Sequence, residues 1–266
     1  MQISRKNWQK YIDKLDKINS SAAQAITRYI DKHGLDDVDD LIRYANLVVQ
    51  QYGNASASLS ALMYDMVVDA SGLSLPPAEA ATLANIGEVA KTINGVLKTS
   101  QNKDEIAGAV SRHVKKAGAD TTLKNAYRDG GEFAWIPSGD TCAYCLSLAS
   151  LGWVNISKER AKMGYQYAEH IHSNCNCTYA VRFSERDGVA GYNPEKYQNM
   201  INSALEAQDE GSFDDYVGRQ MNPEVINAVR RQNYAKNKEQ INAQKRDAYE
   251  KRQELNSSAA EESNVE

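Results

Sequence analysis

The chain has 266 residues, with 25% charged side chains and 42% in the hydrophobic class, proportions that are ordinary for a globular protein. That length accommodates one large domain or two smaller ones, each with its own core. The formal net charge of −4 gives no overall sign of a nucleic-acid binder. Neither an N-terminal signal peptide nor a run of about 18 apolar residues occurs, so we expect synthesis in a reducing cytoplasm and no membrane association.

Apolar residues recur at helical spacing through the N-terminal half, and only a few prolines interrupt them. The pattern predicts successive amphipathic helices, with stops at Gly34 and Gly53-Asn54 and a break at Pro76-Pro77. The predicted segments are Trp8 to Ile18, Ala25 to Ile30, Asp37 to Tyr52, Leu59 to Val67, Ala80 to Leu97, Lys103 to Lys116 and Thr121 to Arg128. We interpret their apolar faces as helix–helix packing; a partner-binding face is the alternative.

The pattern changes at Asp129-Gly130-Gly131, where short aromatic segments and turn residues replace the helical period. Such segments are typical of strands that enter tight turns. The predicted strands lie near Phe133 to Pro137, Leu151 to Ile156 and Thr178 to Phe183. A polar connector then leads to Pro194, which occupies the favoured first position of a helix.

All four cysteines and two of the four histidines lie between Cys142 and Cys177, and therefore between the first and third predicted strands. A Cys-x-x-Cys pair is followed, after 26 residues, by His-x-x-Cys-x-Cys. Clustered sulfur and imidazole ligands in a reducing compartment are typical of a structural zinc site. The candidate ligands are Cys142, Cys145, His172, Cys175 and Cys177, with His170 as a sixth. We expect one structural Zn²⁺ per chain.

Four ligands complete a tetrahedral site, so one of the five main candidates is surplus. Our first choice is Cys142 and Cys145 with His172 and Cys177, because a Cys-x-Cys pair is strained as a double ligand of one ion. Cys175 then accepts hydrogen bonds near the site or is a spare thiol. The alternatives are two disulfides, or buried cysteines without metal. A filled site leaves no position for a catalytic water, and no known catalytic motif occurs, so we expect no enzyme.

Six aromatic residues lie close to the cysteines in sequence. They either form a small core around the metal, which is our preferred interpretation, or expose a surface on which nucleic-acid bases stack. These residues are Trp135, Tyr144, Trp153, Tyr165, Tyr167 and Tyr179.

From about Pro223 the sequence predicts one long polar helix, and residues 255–266 have the composition of a disordered tail. Between Arg230 and Arg252 there are eight basic and three acidic residues. A solvated or partner-bound helix is the favoured interpretation, and a weak DNA contact is the alternative. That contact would use Arg230, Arg231, Lys236, Lys238, Lys245 and Arg246.

Several motifs, in a fixed order, carry a family resemblance. Asn125-Ala-Tyr-Arg-Asp129 is followed by Gly-Asp-Thr-Cys-x-x-Cys, here Gly139 to Cys145, and by the later His-x-x-Cys-x-Cys. With Tyr192-Asn-Pro-Glu-Lys-Tyr197 and the Arg230 to Arg246 tail, they resemble the minor head, or minor capsid, proteins of tailed bacteriophages, which are related to the Mu F-like head-morphogenesis proteins. The similarity covers about residues 120–250, and Leu151 replaces an expected Arg.

The resemblance implies a low-copy structural component of the phage head, located in the virion and made in the host cytoplasm. Its implied partners are the portal protein and the major capsid protein, with the N-terminal helices docking on the portal or shell. The alternative is a zinc-containing nucleic-acid-binding protein or nuclease, for which Glu169-His170 is the only acid–histidine pair near the cysteines. A helical adaptor with incidental cysteines is a third possibility.

The expected fold is mainly α, with an N-terminal multi-helix domain, a small zinc-stapled β-ribbon (α+β) module and a long C-terminal polar helix. The expected divisions are a helical domain at 1–128, a Cys/His metal-binding module at 129–193, C-terminal helices at 194–254 and a disordered tail at 255–266.

Overall fold

The computed structural model of the chain describes residues 2–138, 143–155 and 177–208. The described part is mainly helical, as predicted, and contains two small sheets. Its helices are α1 Arg5–His33, α2 Val38–Ala70, α3 Ile86–Leu97, α4 Lys103–Asp129, α5 Ala143–Ser150 and α6 Pro194–Gln208. Its strands are β1 Gln2–Ile3, β2 Glu132–Ile136, β3 Val154–Asn155, β4 Thr178–Arg182 and β5 Gly188–Val189.

Residues 1–203 form one compact unit, and 204–266 form a second, of which only the end of α6 is described. The predicted polar helix after Pro223 and most of the candidate zinc ligands lie outside the described residues. The predicted domain divisions stay predictions.

Side-chain caps define where the long helices begin. Ser4 accepts a hydrogen bond from the backbone N–H of Asn7 at the start of α1, and Asp37 accepts one from Asp40 at the start of α2. Asn85 and Glu88 form a reciprocal capping box at the start of α3. These contacts satisfy N–H groups that have no partner inside a helix. Gly34 ends α1 as the sequence predicted.

Three predicted helix boundaries are wrong, because long continuous helices replace pairs of shorter ones. The first two predicted segments form the single helix α1, and α4 continues through Ala117–Asp120 without interruption. α2 runs through Gly53, which was expected to end a helix. Gly53 is buried, and a Cβ there would lie 3.2 Å from Leu83 Cδ2, so this glycine permits close packing and does not terminate the helix.

The segment from Ala80 to Asn85 was predicted to be helical and is not, because α3 begins only at Ile86. We call residues 71–85, which connect α2 to α3, the strap. Side chains of α2 and α4 hydrogen-bond to the backbone of the strap, and these bonds replace those that a helix would form within itself.

α1, α2 and α4 pack on one another, and α3 contacts both α2 and α4. The core between the four helices is aliphatic. Its fully buried members include Ile26, Leu41, Val49, Ile93, Ile106, Val110 and Val114.

The main sheet has the strand order β3-β2-β4 and is antiparallel throughout. β2 and β4 pair along five positions, from Glu132 opposite Arg182 to Ile136 opposite Thr178. The strands predicted around Phe133, Leu151–Ile156 and Thr178 are therefore confirmed; β2 begins and ends one residue earlier than predicted, and β3 and β4 are shorter. One face of this sheet packs on α1, where Ala134, Ile136 and Ala180 share a cluster with Trp8, Tyr11, Ile12 and Leu15.

The second sheet is a two-residue parallel pair between β1 and β5, in which Gln2 lies opposite Gly188. It ties the residues before α1 to the connector after β4. Neither β1, β5 nor the short helix α5 was predicted from the sequence.

Candidate metal centre

Two of the predicted zinc ligands lie within the described residues, and both are buried. Cys145 is in the first turn of α5, a helix that contacts β2. Cys177 comes directly before β4, whose first residue, Thr178, lies opposite Ile136 of β2. Their side chains belong to the buried set, with relative exposures of 0% and 7%. Cys177 therefore lies at the end of the β2–β4 pair where β2 leads toward the Cys-x-x-Cys motif.

The other candidates, Cys142, His170, His172 and Cys175, lie outside the described residues. Within 2–138, 143–155 and 177–208, no group of three or more His, Cys, Asp or Glu side chains is arranged to hold a metal ion. The full ligand set and the single Zn²⁺ per chain therefore stay predictions.

Strand alternation divides the main sheet into two chemically different faces. Ala134, Ile136 and Ala180 lie on the face toward α1. Phe133, Trp135 and Tyr179 lie on the other face, and continuing the alternation of β4 back by one residue places Cys177 there too. We call this second face the cysteine face.

The aromatic side chains of the cysteine face pack against one another. Tyr179 makes edge-on contacts with Phe133 at 5.4 Å and with Trp135 at 4.6 Å between ring centroids. All three are buried. The expectation that aromatics near the cysteines form a small core is confirmed for Trp135 and Tyr179. The side chains of Tyr144, Tyr165 and Tyr167 lie outside the described part.

One polar atom of the cysteine face lacks a hydrogen bond. The indole N–H of Trp135 is buried, and no acceptor for it occurs among the described residues. A buried donor without an acceptor is costly, so this face suits a polar or anionic group close to the ring. Among the described candidate ligands, the strand register assigns the buried Cys177 to this face.

The edge of the main sheet carries a further aromatic group. Trp153 stacks under the guanidinium of Arg182 at 4.9 Å, and Arg182 forms an ion pair of 2.6 Å with Glu132. Tyr192 meets Trp153 edge-on and donates a hydrogen bond of 2.7 Å to the carbonyl of Ala149 at the end of α5. This contact fixes α5, and therefore Cys145, relative to the connector that follows β4.

Tyr197 of α6 lies in the electrostatic neighbourhood of Cys177. Burial raises the pKa of the Tyr197 phenol, the charge of Arg5 lowers it, and Cys177 adds a raising contribution. The helix that opens at Pro194 thus brings a phenol close to the predicted ligand. Tyr192, at the start of the same motif, packs against the cluster between α1 and the main sheet.

The Asn125-Ala-Tyr-Arg-Asp129 motif forms a buried polar network at the end of α4, a role that sequence analysis did not assign to it. Arg128 donates two hydrogen bonds to Asp129, of 2.7 and 2.8 Å, and Tyr64 of α2 donates a third, of 2.8 Å. The Asp129 side chain is only 4% exposed. Burial opposes its ionisation, but the hydrogen bonds from Arg128 and Tyr64 and the charge of Arg128 prevail, so the pKa of Asp129 lies below its usual value.

The same motif holds the strap. The Asn125 amide donates to the carbonyl of Glu79 and accepts from its N–H, both at 2.9 Å. Arg128 Nη1 donates to the carbonyl of Pro77, and Nη2, which also bonds to Asp129, donates to the carbonyl of Pro76. One short motif therefore secures the strap, the end of α4 and the entry into β2. An adjacent Arg-Asp pair at the end of a predicted helix was the available signal for it.

The described residues form a mainly helical protein with a small antiparallel sheet, and a family model matches most of the chain. The chain belongs to the VG15 protein family, whose model matches residues 2–204. This is a family of phage gene products, so the chain is a phage protein. The matched range includes the Asn125 motif, the Cys-x-x-Cys motif and the His172 to Cys177 segment.

No match was found among curated proteins or among solved structures. Among the described helices, none combines the length and the apolar character needed to cross a membrane.

Proposed function

We propose that the chain is a minor head, or minor capsid, structural protein that takes part in head morphogenesis at the portal or the shell. Membership of the VG15 family, a family of phage gene products, is the observation that carries this proposal. The ordered motifs from Asn125 to Tyr197, which resemble those of minor head proteins, support it. The protein has a structural role in this proposal, with no catalysis, and it is located in the virion.

The proposed zinc site stabilises the fold. Cys145 and Cys177 would hold the ion together with ligands from Cys142, His172 and Cys175, and a bound Zn²⁺ would cross-link α5, β4 and the segment between them. Short strands of two to five residues bury little surface, so a metal cross-link adds stability that the sheet alone lacks. Burial of both described thiols supports a structural site, because such sites are closed to water.

The proposed partners are the portal protein and the major capsid protein. Helix α2 exposes large apolar side chains, with Leu62 at 63% and Met66 at 60% exposure, and Leu47 lies on the same helix. Exposed apolar side chains that lie one helical turn apart are typical of a protein-binding surface. The basic residues between Arg230 and Arg246, which lie outside the described residues, would contact DNA only weakly.

The zinc proposal is tested by native mass spectrometry and metal analysis of the full chain, purified under reducing conditions. The wild type is expected to carry one zinc, and Cys145→Ser and Cys177→Ser are expected to lose it together with thermal stability. His33→Ala is the matched control, because His33 lies at the end of α1 and outside the motif. Wild-type protein without zinc would overturn this part of the proposal.

The head proposal is tested by co-expressing the tagged chain with the portal and major capsid proteins of its own phage. We expect the tagged chain to retain at least one of these two proteins. The double variant Leu62→Gln with Met66→Gln should bind that protein more weakly. Gln9→Ala, at an exposed position of α1, is the control. The protein should also be detected in purified particles. Absence from particles, together with no retained partner, would refute a head role.

The nuclease alternative is tested separately. Incubation of the wild type with plasmid DNA and Mg²⁺ is expected to leave the DNA intact. Cleavage that disappears in His170→Ala would establish the alternative instead.

A further inference from the structure

Basic side chains are concentrated on helix α1. The helix contains seven basic and three acidic residues, a net charge of +4, although the whole chain has a formal net charge of −4. The rest of the chain therefore has a net charge of −8. Such segregation produces a local positive potential that the overall charge conceals.

Six of the seven basic residues lie on one face of α1. At 3.6 residues per turn their positions fall within an arc of about 80°, on the side away from the buried Trp8, Leu15 and Ile26. All six side chains are exposed. We call this set the basic stripe, and its members are Lys6, Lys10, Lys14, Lys17, Arg28 and Lys32. The stripe extends about 39 Å along the helix at a rise of 1.5 Å per residue.

Ion pairs do not neutralise the basic stripe. None of its six members forms a salt bridge with a described residue. The three acidic residues of α1 have other partners. Asp31 pairs with Lys103 of α4, and Asp13 and Asp16 accept hydrogen bonds from neutral side chains of α1. The charges of the stripe are therefore available to an external anion.

The composition of this face indicates which kind of anion fits it. Helix α1 lies wholly within the described residues, and none of its large apolar side chains is exposed, unlike Leu62 and Met66 of α2. Interfaces between proteins are depleted in lysine and depend on aromatic or apolar anchors. Contacts to a phosphate backbone require a row of cationic side chains instead. The basic stripe therefore favours DNA over an acidic protein.

We propose that the basic stripe of α1 binds the phosphate backbone of double-stranded DNA, independently of base sequence. Its span of about 39 Å is close to one turn of duplex DNA, about 34–36 Å. Five of its six members are lysines, which act on phosphate as point charges. The stripe and the exposed apolar residues of α2 are separate surfaces, so this inference depends neither on the zinc site nor on a role in the phage head.

The experiment measures binding of the full chain to a fluorescein-labelled 30-base-pair DNA by fluorescence anisotropy between 25 and 200 mM NaCl. The stripe variant combines Lys6→Gln, Lys10→Gln, Lys14→Gln and Lys17→Gln. The matched control combines Lys91→Gln, Lys98→Gln, Arg186→Gln and Lys196→Gln, at exposed positions outside α1. Both variants lose four positive charges, and both keep the basic residues between Arg230 and Arg246. Circular dichroism checks that each variant keeps its helices.

The stripe variant is expected to bind DNA at least about 10-fold more weakly than the wild type at 50 mM NaCl. The slope of log affinity against log salt concentration should become shallower by about 3–4, because each lost phosphate contact removes about 0.9. The control should change the affinity by less than about threefold and the slope by less than about 1, since its charges lie away from the stripe.

Three results would overturn the inference. They are a wild type that does not bind DNA, a stripe variant that binds as tightly as the wild type, and equal weakening in both variants, which would show an effect of net charge alone. If the stripe variant kept DNA binding but lost the portal or capsid protein, the stripe would bind an acidic protein instead. DNA binding that requires the stripe, in a protein absent from phage particles, would support the inference and refute only the head role.

Discussion

Replacing Asp129 by Asn tests the network that joins α2, α4 and the strap. Asp129 accepts three hydrogen bonds, two from Arg128 and one from Tyr64. Asn keeps the shape of the side chain but removes its charge, and it turns one of the two acceptor oxygens into an NH₂ donor. At least one donor of Arg128 or Tyr64 then faces another donor.

The expected magnitude follows from burial. Breaking a buried ion pair costs about 3–5 kcal/mol when the remaining charge has no other partner. Arg128 is a quarter exposed and keeps its hydrogen bonds to Pro76 and Pro77, so its charge is not left without partners. We therefore expect Asp129→Asn to lower the free energy of unfolding by about 2–3 kcal/mol, between the value for a lost charge-assisted hydrogen bond and that for a stranded charge.

The assay is urea unfolding followed by circular dichroism at 222 nm. Asp31→Asn is the matched control, because Asp31 pairs with Lys103 on the surface with both side chains about half exposed. That pair should contribute no more than about 1 kcal/mol. A loss in Asp129→Asn as small as that in Asp31→Asn would refute the argument that the buried network stabilises this region.

The stability that Asp129 contributes should depend on pH in a defined direction. The pKa of Asp129 in the folded protein lies below its usual value, because hydrogen bonds from Arg128 and Tyr64 and the charge of Arg128 outweigh burial. A lowered folded pKa gives stability that is fully present above the unfolded pKa of about 3.9 and is lost as pH falls through the folded value. The difference between wild type and Asp129→Asn should thus be constant above about pH 5 and shrink below about pH 4.

Two further predictions concern packing and the strap. Gly118→Ala should destabilise the protein by about 1–3 kcal/mol in urea unfolding, because the new Cβ would lie 2.6 Å from Ser56 Oγ. Gly95→Ala is the matched control, because its new Cβ has no atom within 4 Å, and it should stabilise α3 by about 0.5–1 kcal/mol. A loss of stability in Gly95→Ala, or no loss in Gly118→Ala, would contradict this explanation. Asn125→Ala should speed hydrogen exchange of the Glu79 amide, and an unchanged rate would show that the strap is held by other contacts.

The sequence predicted the helical class and the short strands because both depend on local periodicity. The helix breaks predicted at Gly53 and between Lys116 and Thr121 were wrong for one physical reason. Glycine and threonine weaken an isolated helix, but the packed interface between α2 and α4 stabilises it. Thr121 and Thr122 donate to the carbonyls one turn earlier, at Ala117 and Gly118, so their hydroxyls are satisfied inside α4.

The candidate site was only partly accessible to sequence reasoning. Cysteine spacing made Cys145 and Cys177 candidate ligands, because metal sites have a local sequence signature. The roles of Tyr64 and Asn125 have no local sequence signature, because their hydrogen-bond partners lie 65 and 46 residues away. Trp135 was recognised as a core aromatic, but the unsatisfied state of its N–H is visible only once the register with Tyr179 is known.

The two faces of the main sheet explain why the proposed metal belongs on one side of it. Toward α1, Ala134, Ile136 and Ala180 bury apolar surface against apolar side chains, and that packing requires no further group. The other face carries Phe133, Trp135 and Tyr179, and the strand register places the buried Cys177 there as well. The proposed zinc site, with Cys177 as one ligand, therefore belongs on the cysteine face. The sheet would then join the helical body, through α1, to the motif region by which the chain resembles minor head proteins.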